Sequence, residues 1–359
     1  MRASIEDVAK LAGVSPATVS RVLNRPSIVN AQTREKVLEA VKKLDYYPKS
    51  AAQRLATGKS QMFGFVSMVK SHSIIHASSW QFYLRVFQGV NDTLRKAKEQ
   101  NNIGLRCWMD METYEDVEKT KLFQKLAKSN EIDGLFILMQ WEYPESFLWN
   151  LGDLHRLGFP FVIINYSFSH RDFYCVSNQY QTLAKMAIEH FKSMGREKIS
   201  YIAGPEDNLS TKERTKGYFK IMKELGLEIS GDYYQVSDFD SASGYQCAQK
   251  LLNLSARPNA IFCVNDRVAA GAIMAIKNAG LRCPEDVAVI GSDDDEICRV
   301  TSPKITTFRL PLYQIGEEAA RIMLSGFAEG KWEKRQRVFS YEPELVQRES
   351  TLGRGVICS

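Results

Sequence analysis

Two groups of polar side chains have the types and spacing needed for recognition chemistry. In the first, Arg21 can donate a bidentate pair of hydrogen bonds to guanine, and Thr18 and Ser20 can bond to phosphates or base edges. Pro16 and Ala17 in the same short run can contact a thymine methyl group. This combination predicts a helix that reads the edges of DNA bases.

The second group lies at the ends of apolar runs in the larger, later part of the chain. Such runs are followed directly by Asn165 and by the pair Asn265 and Asp266, and Asp293 comes one residue after another run. Arg214 lies on the helical stretch that follows another one. Ligands of parallel sheets bind beyond the carboxyl ends of the strands. Acids, amides and one arginine at that place can satisfy the hydroxyl groups of a sugar.

Three short helices must hold the first group in place. Ser4 can cap the first helix, Gly13 can end it, and Ser15 can cap the second, with Pro16 in its first position. Only Gly13 and Val14 separate these two helices, which is the geometry of a helix-turn-helix. The periodicity predicts inward-facing side chains at Ile5, Val8, Ala9, Ala12, Val19, Val22, Leu23, Val37, Leu38, Val41 and Leu44.

The charge of the chain is concentrated at the same end. Residues 1–60 contain eleven Lys and Arg against five Asp and Glu, whereas the other 299 residues contain 36 against 37. All of the excess positive charge therefore belongs to the first sixth of the chain. This asymmetry predicts a nucleic-acid-binding head on a neutral body.

The body, residues 61–359, alternates strand and helix patterns. Apolar strand candidates are 63–69, 103–108, 134–138, 161–164, 199–203, 260–264 and 287–291. Such alternation predicts parallel sheets with helices on both faces, and about 300 residues suit two sheets better than one.

Several function classes are excluded by missing patterns. The five histidines form no H-E-x-x-H motif, and the chain has no G-x-S-x-G elbow and no G-x-G-x-x-G after a strand. The seven cysteines form no C-x-x-C pair. The acidic run 293–296 lacks the spacing of a calcium loop, so we predict a ligand-binding role for Asp293 and solvent exposure for the acidic residues beside it. We predict no enzyme, no metal and no cofactor. Acids near the N-terminus and scattered cysteines predict a cytoplasmic protein without a membrane span.

The run of residues 4–24, SIEDVAKLAGVSPATVSRVLN, closely resembles the DNA-binding headpiece of the LacI/GalR family of bacterial transcriptional regulators. The similarity continues through Tyr47-Pro48 and residues 51–60. In that family the latter stretch is a hinge helix that is ordered on the operator, where two copies pair in the minor groove. The resemblance implies that Leu55 wedges into a base step and that Ala52 lets the two hinge helices meet. It also implies contacts to DNA from Ser4, Ser15 and Asn24.

Family-like motifs run through the body as well, in the order and spacing of a core of the periplasmic-binding-protein type. They include Gly195-Arg196-Glu197-Lys198-Ile199, Asn265-Asp266, Gly291-Ser292-Asp293-Asp294 and Pro343-Glu344-Leu345-Val346-Gln347-Arg348. The implied fold is α/β, with a three-helix headpiece, a hinge helix and two doubly wound parallel-sheet subdomains.

The resemblance also sets expected domain boundaries. The headpiece covers 1–47, the hinge and linker 48–60, and the effector-binding and dimerisation core 61–359. Within the core, one subdomain takes about 61–165 and 310–330, and the other about 166–305 and 336–350, with chain crossings near 165–167, 301–309 and 330–336.

In the family, matching positions contact the effector. Carried over to this chain they are Phe82, Tyr83, Asn165, Asn208, Ser210, Arg214, Phe239, Asn265 and Asp293. One departure is that Gly64 and Phe82 are eighteen residues apart, where the family usually needs about ten. The extra segment, about 70–81, is expected to border the cleft.

The sequence therefore predicts a ligand-controlled repressor that binds a palindromic double-stranded operator as a homodimer or tetramer, with a sugar or sugar derivative as effector. Two alternatives stay open. The chain could be a solute-binding sensor without operator function. The same fold could also respond to a purine or to a phosphorylated protein.

Overall fold

The computed structural model describes residues 5–24, 29–44, 60–69, 77–98, 102–128, 131–166, 173–328 and 337–352. Elements are numbered in chain order. The helices are α1 (Ile5–Ala12), α2 (Pro16–Asn24), α3 (Ala31–Lys43), α4 (Ala77–Lys98), α5 (Tyr114–Thr120), α6 (Leu122–Lys128), α7 (Glu145–Arg156), α8 (Tyr180–Ser193), α9 (Leu209–Glu224), α10 (Ser241–Leu252), α11 (Asp266–Asn278), α12 (Ile297–Val300), α13 (Leu312–Ala328) and α14 (Glu349–Leu352).

The strands are β1 (Ser60–Val69), β2 (Asn102–Thr113), β3 (Gly134–Leu138), β4 (Phe161–Ile164), β5 (Tyr174–Asn178), β6 (Ile199–Ala203), β7 (Tyr234–Val236), β8 (Ala260–Cys263), β9 (Ala288–Ile290), β10 (Thr307–Arg309), β11 (Arg337–Tyr341) and β12 (Glu344–Val346).

The first three helices pack around a small core of their own. Its buried residues are Val8, Ala9, Val19, Val22, Val37 and Ala40. Gly13 has a φ of +67°, which lets the chain turn sharply between α1 and α2. One predicted core position is wrong, because Leu38 is 49% exposed. The neighbouring Val37 and Ala40 already fill the inner face of α3.

The body contains two parallel sheets, as predicted. The larger has the order β11-β5-β4-β3-β1-β2 and the smaller the order β7-β6-β8-β9. Strands β3, β4, β6 and β8 are buried along their whole length, which explains their continuous apolar sequences. Helices pack on both sheets, so the α/β fold class predicted from the sequence is confirmed.

The sheet topology corrects two expected subdomain boundaries. β5 pairs with β4, and β11 pairs with β5, so both strands belong to the six-stranded sheet. The expected boundaries had assigned both strands, as parts of residues 166–305 and 336–350, to the subdomain of the smaller sheet. Neither strand has a long apolar run of its own, and only pairing with buried neighbours shows where it belongs. The first and third chain crossings therefore come after β5 and after β11.

A two-stranded antiparallel ladder of β10 and β12 connects the two subdomains, with Phe308 opposite Leu345. β10 comes after the last strand of the smaller sheet and just before α13, and β12 follows directly after β11. Two of the three chain crossings are thus paired to each other by backbone hydrogen bonds, which fixes their relative position next to the carboxyl ends of the strands.

Candidate binding cavity and recognition helix

A cavity lies between the two sheets at the carboxyl ends of their strands. Eight of the nine residues expected from the sequence line it, namely Phe82, Asn165, Asn208, Ser210, Arg214, Phe239, Asn265 and Asp293. These residues come from both subdomains and from segments more than 200 positions apart, so only the fold brings them together. The ninth, Tyr83, is buried beside the cavity and donates a hydrogen bond to Gln140, which does line it.

The side chain of Asn165 is held at the end of β4 by two neighbours, one of which is itself fixed by a third residue. Its side-chain amide donates to the carbonyl of Met139 at 3.2 Å, and its oxygen accepts a hydrogen bond from the hydroxyl of Tyr180. Asn178 in turn donates to the Tyr180 oxygen at 3.1 Å. The amide of Asn165 is therefore oriented before any ligand arrives, with one N–H and one lone pair left to use.

Arg214 supplies the cation of the cavity. It is 4% exposed, its guanidinium donates to the carbonyl of Val264, and Cζ lies 5.0 Å from the ring centroid of Tyr180. Its Nε has no hydrogen-bond partner. A buried guanidinium with an unused donor is suited to bind a polar ligand, since leaving that donor unpaired costs free energy.

Asn208 and Asn265 have a second, structural task. Asn208 accepts the backbone N–H of Thr211 at the start of α9, and Asn265 accepts that of Val268 at the start of α11. Asn208 also accepts from the hydroxyl of Ser210 at 2.7 Å. These helix caps fix both side chains at the cavity wall.

Asp293 brings the only carboxylate among the residues that line the cavity. Burial raises the pKa of Asp293 well above that of an ordinary aspartate. The positive charge of Arg214 opposes this shift, and the neighbouring carboxylate of Asp266 adds to it. Asp293 therefore keeps its proton to a higher pH than an ordinary aspartate does, and a ligand that donates hydrogen bonds to it would favour the carboxylate.

Three lining residues have a backbone conformation that non-glycine residues rarely adopt. The φ angles are +70° at Asn165, +66° at Phe239 and +114° at Asp293. Such strain persists only where the surrounding structure fixes it, and it concentrates at binding sites. Gly204 makes room for one of them, because a Cβ there would clash with the ring of Phe239.

Sequence reasoning missed five lining residues, Gln140, Trp141, Tyr180, Val264 and Leu310. Trp141 is 7% exposed, and its ring centroid lies 6.3 Å from that of Phe239. Gln140 and Trp141 follow β3, so the strand-end rule that selected Asn165 could have found them too.

The predicted solvation of the residues after Asp293 is wrong for Asp294, which is buried among three arginines. Arg348 contacts it at 2.5 Å, Arg309 at 2.9 Å and Arg299 at 3.1 Å. Burial opposes ionisation, but the hydrogen bonds from Arg348 and Arg309 outweigh it and hold the pKa of Asp294 below the ordinary value. Arg309 lies on β10, so Asp294 anchors the ladder that connects the subdomains.

The structure places the recognition residues on α2 as expected. The hydroxyl of Ser15 accepts the backbone N–H of Thr18 at 3.1 Å and caps the helix. Pro16, Ala17 and Arg21 are exposed, and Thr18 and Ser20 are half-buried. Ser4, Ala52 and Leu55 lie outside the described residues, and so does the side chain of Asn24. Of the extra segment expected at about 70–81, the structure describes residues 77–81. There Gln81, on α4, lines a second cavity together with Phe82.

Among the residues that the structure describes, no group of three or more His, Cys, Asp or Glu could hold a metal ion. The same part of the chain contains no helix long and apolar enough to cross a membrane.

Comparison with known proteins identifies the class. Residues 4–49 match the family model "Bacterial regulatory proteins, lacI family", and residues 188–351 match a periplasmic binding protein-like domain. The HTH-type transcriptional repressor PurR of Aliivibrio fischeri is 32% identical over 355 residues, covering 98% of this chain and 99% of that protein. The chain belongs to the LacI family of bacterial regulatory proteins.

Two solved structures of transcriptional regulators are similar to this one over nearly the whole chain. The Lac repressor dimer bound to operator and the anti-inducer ONPF has a TM-score of 0.76 and 25% identity, covering 98% of this chain and 100% of that one. The CelR–cellobiose complex has a TM-score of 0.66 and 26% identity, covering 97% and 100%.

Family membership confirms the prediction of a DNA-binding transcriptional repressor and not an enzyme. LacI-family repressors bind operator DNA and small-molecule effectors and act as dimers. The alternative of a solute-binding sensor without operator function is therefore wrong.

Proposed function

We propose that this LacI-family repressor releases or tightens its hold on a palindromic operator when a sugar or sugar derivative binds between its two sheets. The observation that carries this proposal is the composition of the cavity wall. Two asparagines beside Arg214 and Asp293 offer donors and acceptors at several angles, which suits a ligand with many hydroxyl groups.

The charge of the cavity supports a ligand without net charge. Among its lining residues, Arg214 is the only Arg, Lys or His, and Asp293 is the only Asp or Glu. Once a ligand draws Asp293 into its ionised form, the two charges cancel. A phosphorylated ligand would keep Asp293 protonated, and its two negative charges would then face the single positive charge of Arg214, which leaves uncompensated negative charge in the site.

The solved structure of CelR is a complex with cellobiose, and its similarity extends over 97% of this chain. That likeness supports a carbohydrate as the ligand of this protein. We also propose a homodimer, or a tetramer formed from two dimers, because a palindromic operator matches the two-fold symmetry of a dimer. The protein would act in the cytoplasm, where its operator is.

A purine is the second candidate, and the aromatic walls favour it. Phe82, Trp141 and Phe239 all border the cavity, and planar bases stack on such rings. The same rings can also pack on the apolar faces of a sugar, so the walls alone do not favour one ligand class. The polar groups favour the sugar, because they outnumber the few hydrogen-bonding edges of a base.

A thermal-shift screen of the full-length protein tests both candidates. The panel contains hexoses, hexuronates, disaccharides including cellobiose, sugar phosphates and purine bases. A ligand at 100 times its dissociation constant should raise the free energy of unfolding by about 2.7 kcal/mol. If purines stabilise the protein and no carbohydrate does, the effector is a purine and not a sugar. Stabilisation by sugar phosphates alone would contradict the charge argument.

A further inference from the structure

Asp266, the first residue of α11, is a strand-end polar residue that does not line the cavity. Its side chain is buried, with 1% exposed, beneath the loop 292–295 that carries Asp293. The hydroxyl of Thr307 donates to one carboxylate oxygen of Asp266 at 2.5 Å, and the N–H of Asp295 donates to the other at 2.8 Å. Both oxygens of this carboxylate therefore bind groups of the protein.

Further hydrogen bonds connect Asp266 to the same loop. Its own N–H donates to the carbonyl of Ser292 at 2.9 Å. The Thr307 hydroxyl, which donates to Asp266, also accepts the N–H of Asp294 at 3.4 Å. Directly and through Thr307, Asp266 thus holds the loop on both sides of Asp293.

The backbone of this loop has a conformation that needs such support. The φ angles are +114° at Asp293 and +51° at Asp294, which aspartates rarely adopt. Such a conformation persists only where surrounding contacts fix it. The hydrogen bonds from Asp266 and Thr307 are contacts of this kind.

We propose that Asp266 is the positioning residue for Asp293, because its hydrogen bonds keep the loop 292–295 in the conformation that places Asp293 in the cavity wall. Asp266 acts on the ligand only through this loop. The inference rests on the proposed function in one respect, since it takes Asp293 as a ligand contact. The position of Asp293 itself can be measured without a ligand.

The proton of Asp293 reports where its side chain lies. Burial raises the pKa of this carboxyl, Arg214 opposes the shift, and the carboxylates of Asp266 and Asp295 add to it. The phenol of Tyr180 also faces this group. If the loop is released, Asp293 reaches water, and its pKa should fall towards the ordinary aspartate range near pH 4.

Asp266 is itself a buried acid. Burial raises the pKa of Asp266 to about 6, and the carboxylate of Asp294 adds to this shift. Hydrogen bonds from Thr307, Cys298 and the loop backbone oppose it. Because the proton of Asp266 also contributes to pH dependence, the test compares proteins that differ only at Asp293.

Melting temperatures of the full-length, ligand-free protein test the proposal from acidic to mildly alkaline pH. Each protein is paired with the same protein carrying Asp293→Asn, and the difference within a pair belongs to Asp293. In the wild type, the Asp293 protein should lose stability relative to its partner as pH rises from about 4. In the Thr307→Val and Asp266→Ala backgrounds, this loss should fall to about half or less, because Asp293 is no longer held in its buried position.

Hydrogen–deuterium exchange measures the hold on the loop directly. In Asp266→Ala the amide of Asp295 loses its acceptor and should exchange at least about tenfold faster. Asp266→Asn keeps an acceptor oxygen at the same place and should retain most of the protection of that amide.

Thr351→Val is the matched control, because it removes the hydroxyl of another buried threonine without changing its shape. That hydroxyl is hydrogen-bonded to Thr306 at 2.8 Å and does not contact the loop. The variant should lower the melting temperature alike at every pH. It should change neither the loss that belongs to Asp293 nor the exchange of Asp295.

A wild-type-sized loss from Asp293 in the Thr307→Val and Asp266→Ala backgrounds would show that Asp266 only supports the fold, and would overturn the proposal. Full protection of the Asp295 amide in Asp266→Ala, or equal loss of it in Asp266→Asn, would overturn it as well. If Asp266→Ala does not fold, Thr307→Val decides, since it keeps the carboxylate. None of these measurements uses a ligand, so a failed carbohydrate screen would count against the proposed effector alone.

Discussion

The guanidinium of Arg214 lies over the ring of Tyr180, with 5.0 Å between Cζ and the ring centroid. The hydroxyl of the same tyrosine donates to Asn165, at the end of a strand of the other subdomain. A ligand that contacts Arg214 and Asn165 therefore acts on two ends of one continuous contact chain between the subdomains.

The first prediction concerns this arrangement. Arg214→Lys keeps the positive charge but loses the planar group that stacks on Tyr180 and reaches Val264. Effector affinity should fall by roughly 1–3 kcal/mol, the cost of an unpaired buried polar group. Titration calorimetry with the ligand found in the screen measures it. Arg156→Lys is the control, since that side chain is 72% exposed, and it should bind normally. Equal affinity of both variants would remove Arg214 from the site.

Asp293 gives a prediction about pH and stability. Because burial raises its pKa, the native protein binds this proton more tightly than the unfolded chain does. The contribution of this group to stability is therefore greatest at low pH and is lost as pH rises from about 4, the ordinary aspartate range. Asp293→Asn should remove this loss, so the ligand-free variant should lose less stability than the wild type between acidic and mildly alkaline pH. Melting temperatures across that range measure it, and parallel curves would contradict the raised pKa.

The same residue predicts how effector binding depends on pH. If ligand hydroxyls donate to the carboxylate, affinity should increase as pH rises and a proton should be released on binding. Calorimetry in two buffers of different ionisation enthalpy detects that proton. In Asp293→Asn the pH dependence should flatten, while binding to operator without effector should stay as in the wild type. Affinity that is independent of pH in the wild type would show that the ligand does not use this carboxylate.

Asp294 should be essential for stability and not for ligand contact. Asp294→Asn leaves the buried Arg348 without its counter-charge, and removing one partner of a buried pair costs about 3–5 kcal/mol. Denaturant unfolding measures this loss. Asp295→Asn is the neighbouring control, because its pair with Arg267 is longer, at 3.8 Å, and more exposed. It should cost less than about 1 kcal/mol. Similar losses in both variants would refute the special role of Asp294.

The recognition helix gives the last prediction. Arg21→Ala should weaken binding to the selected operator by roughly 1–3 kcal/mol, because a base contact is lost. Binding to random DNA should weaken less. Arg34→Ala removes an equal charge from the exposed face of α3 and should weaken binding to operator and to random DNA by the same amount. Binding curves at one salt concentration compare them. A uniform loss for Arg21→Ala would make it a phosphate contact.

Elements whose signals are local could be predicted from the amino-acid sequence alone. Ser15 caps α2, Gly13 takes its positive φ, and the long apolar runs became the central strands β3, β4, β6 and β8. The sequence also located Asn165, Asn265 and Asp293, because a polar residue that follows a buried strand must lie at a strand end. Caps, glycine turns and burial on both faces act within a few neighbouring residues, so they leave a direct trace in the order of amino acids.

Two features depend instead on the tertiary structure. They are the assignment of each strand to one of the two sheets and the surroundings of each polar group. β5 and β11 are short and join the larger sheet through backbone pairing with distant partners, which no local pattern records. Asp294 and Asp293 are adjacent in sequence, yet one is held ionised by three arginines while burial raises the pKa of the other. The ion pair of Glu142 and Lys212 is of the same kind, since these residues are seventy positions apart in the sequence. Charge, burial and pairing across such separations depend on where the folded chain returns, and that is a property of the whole fold.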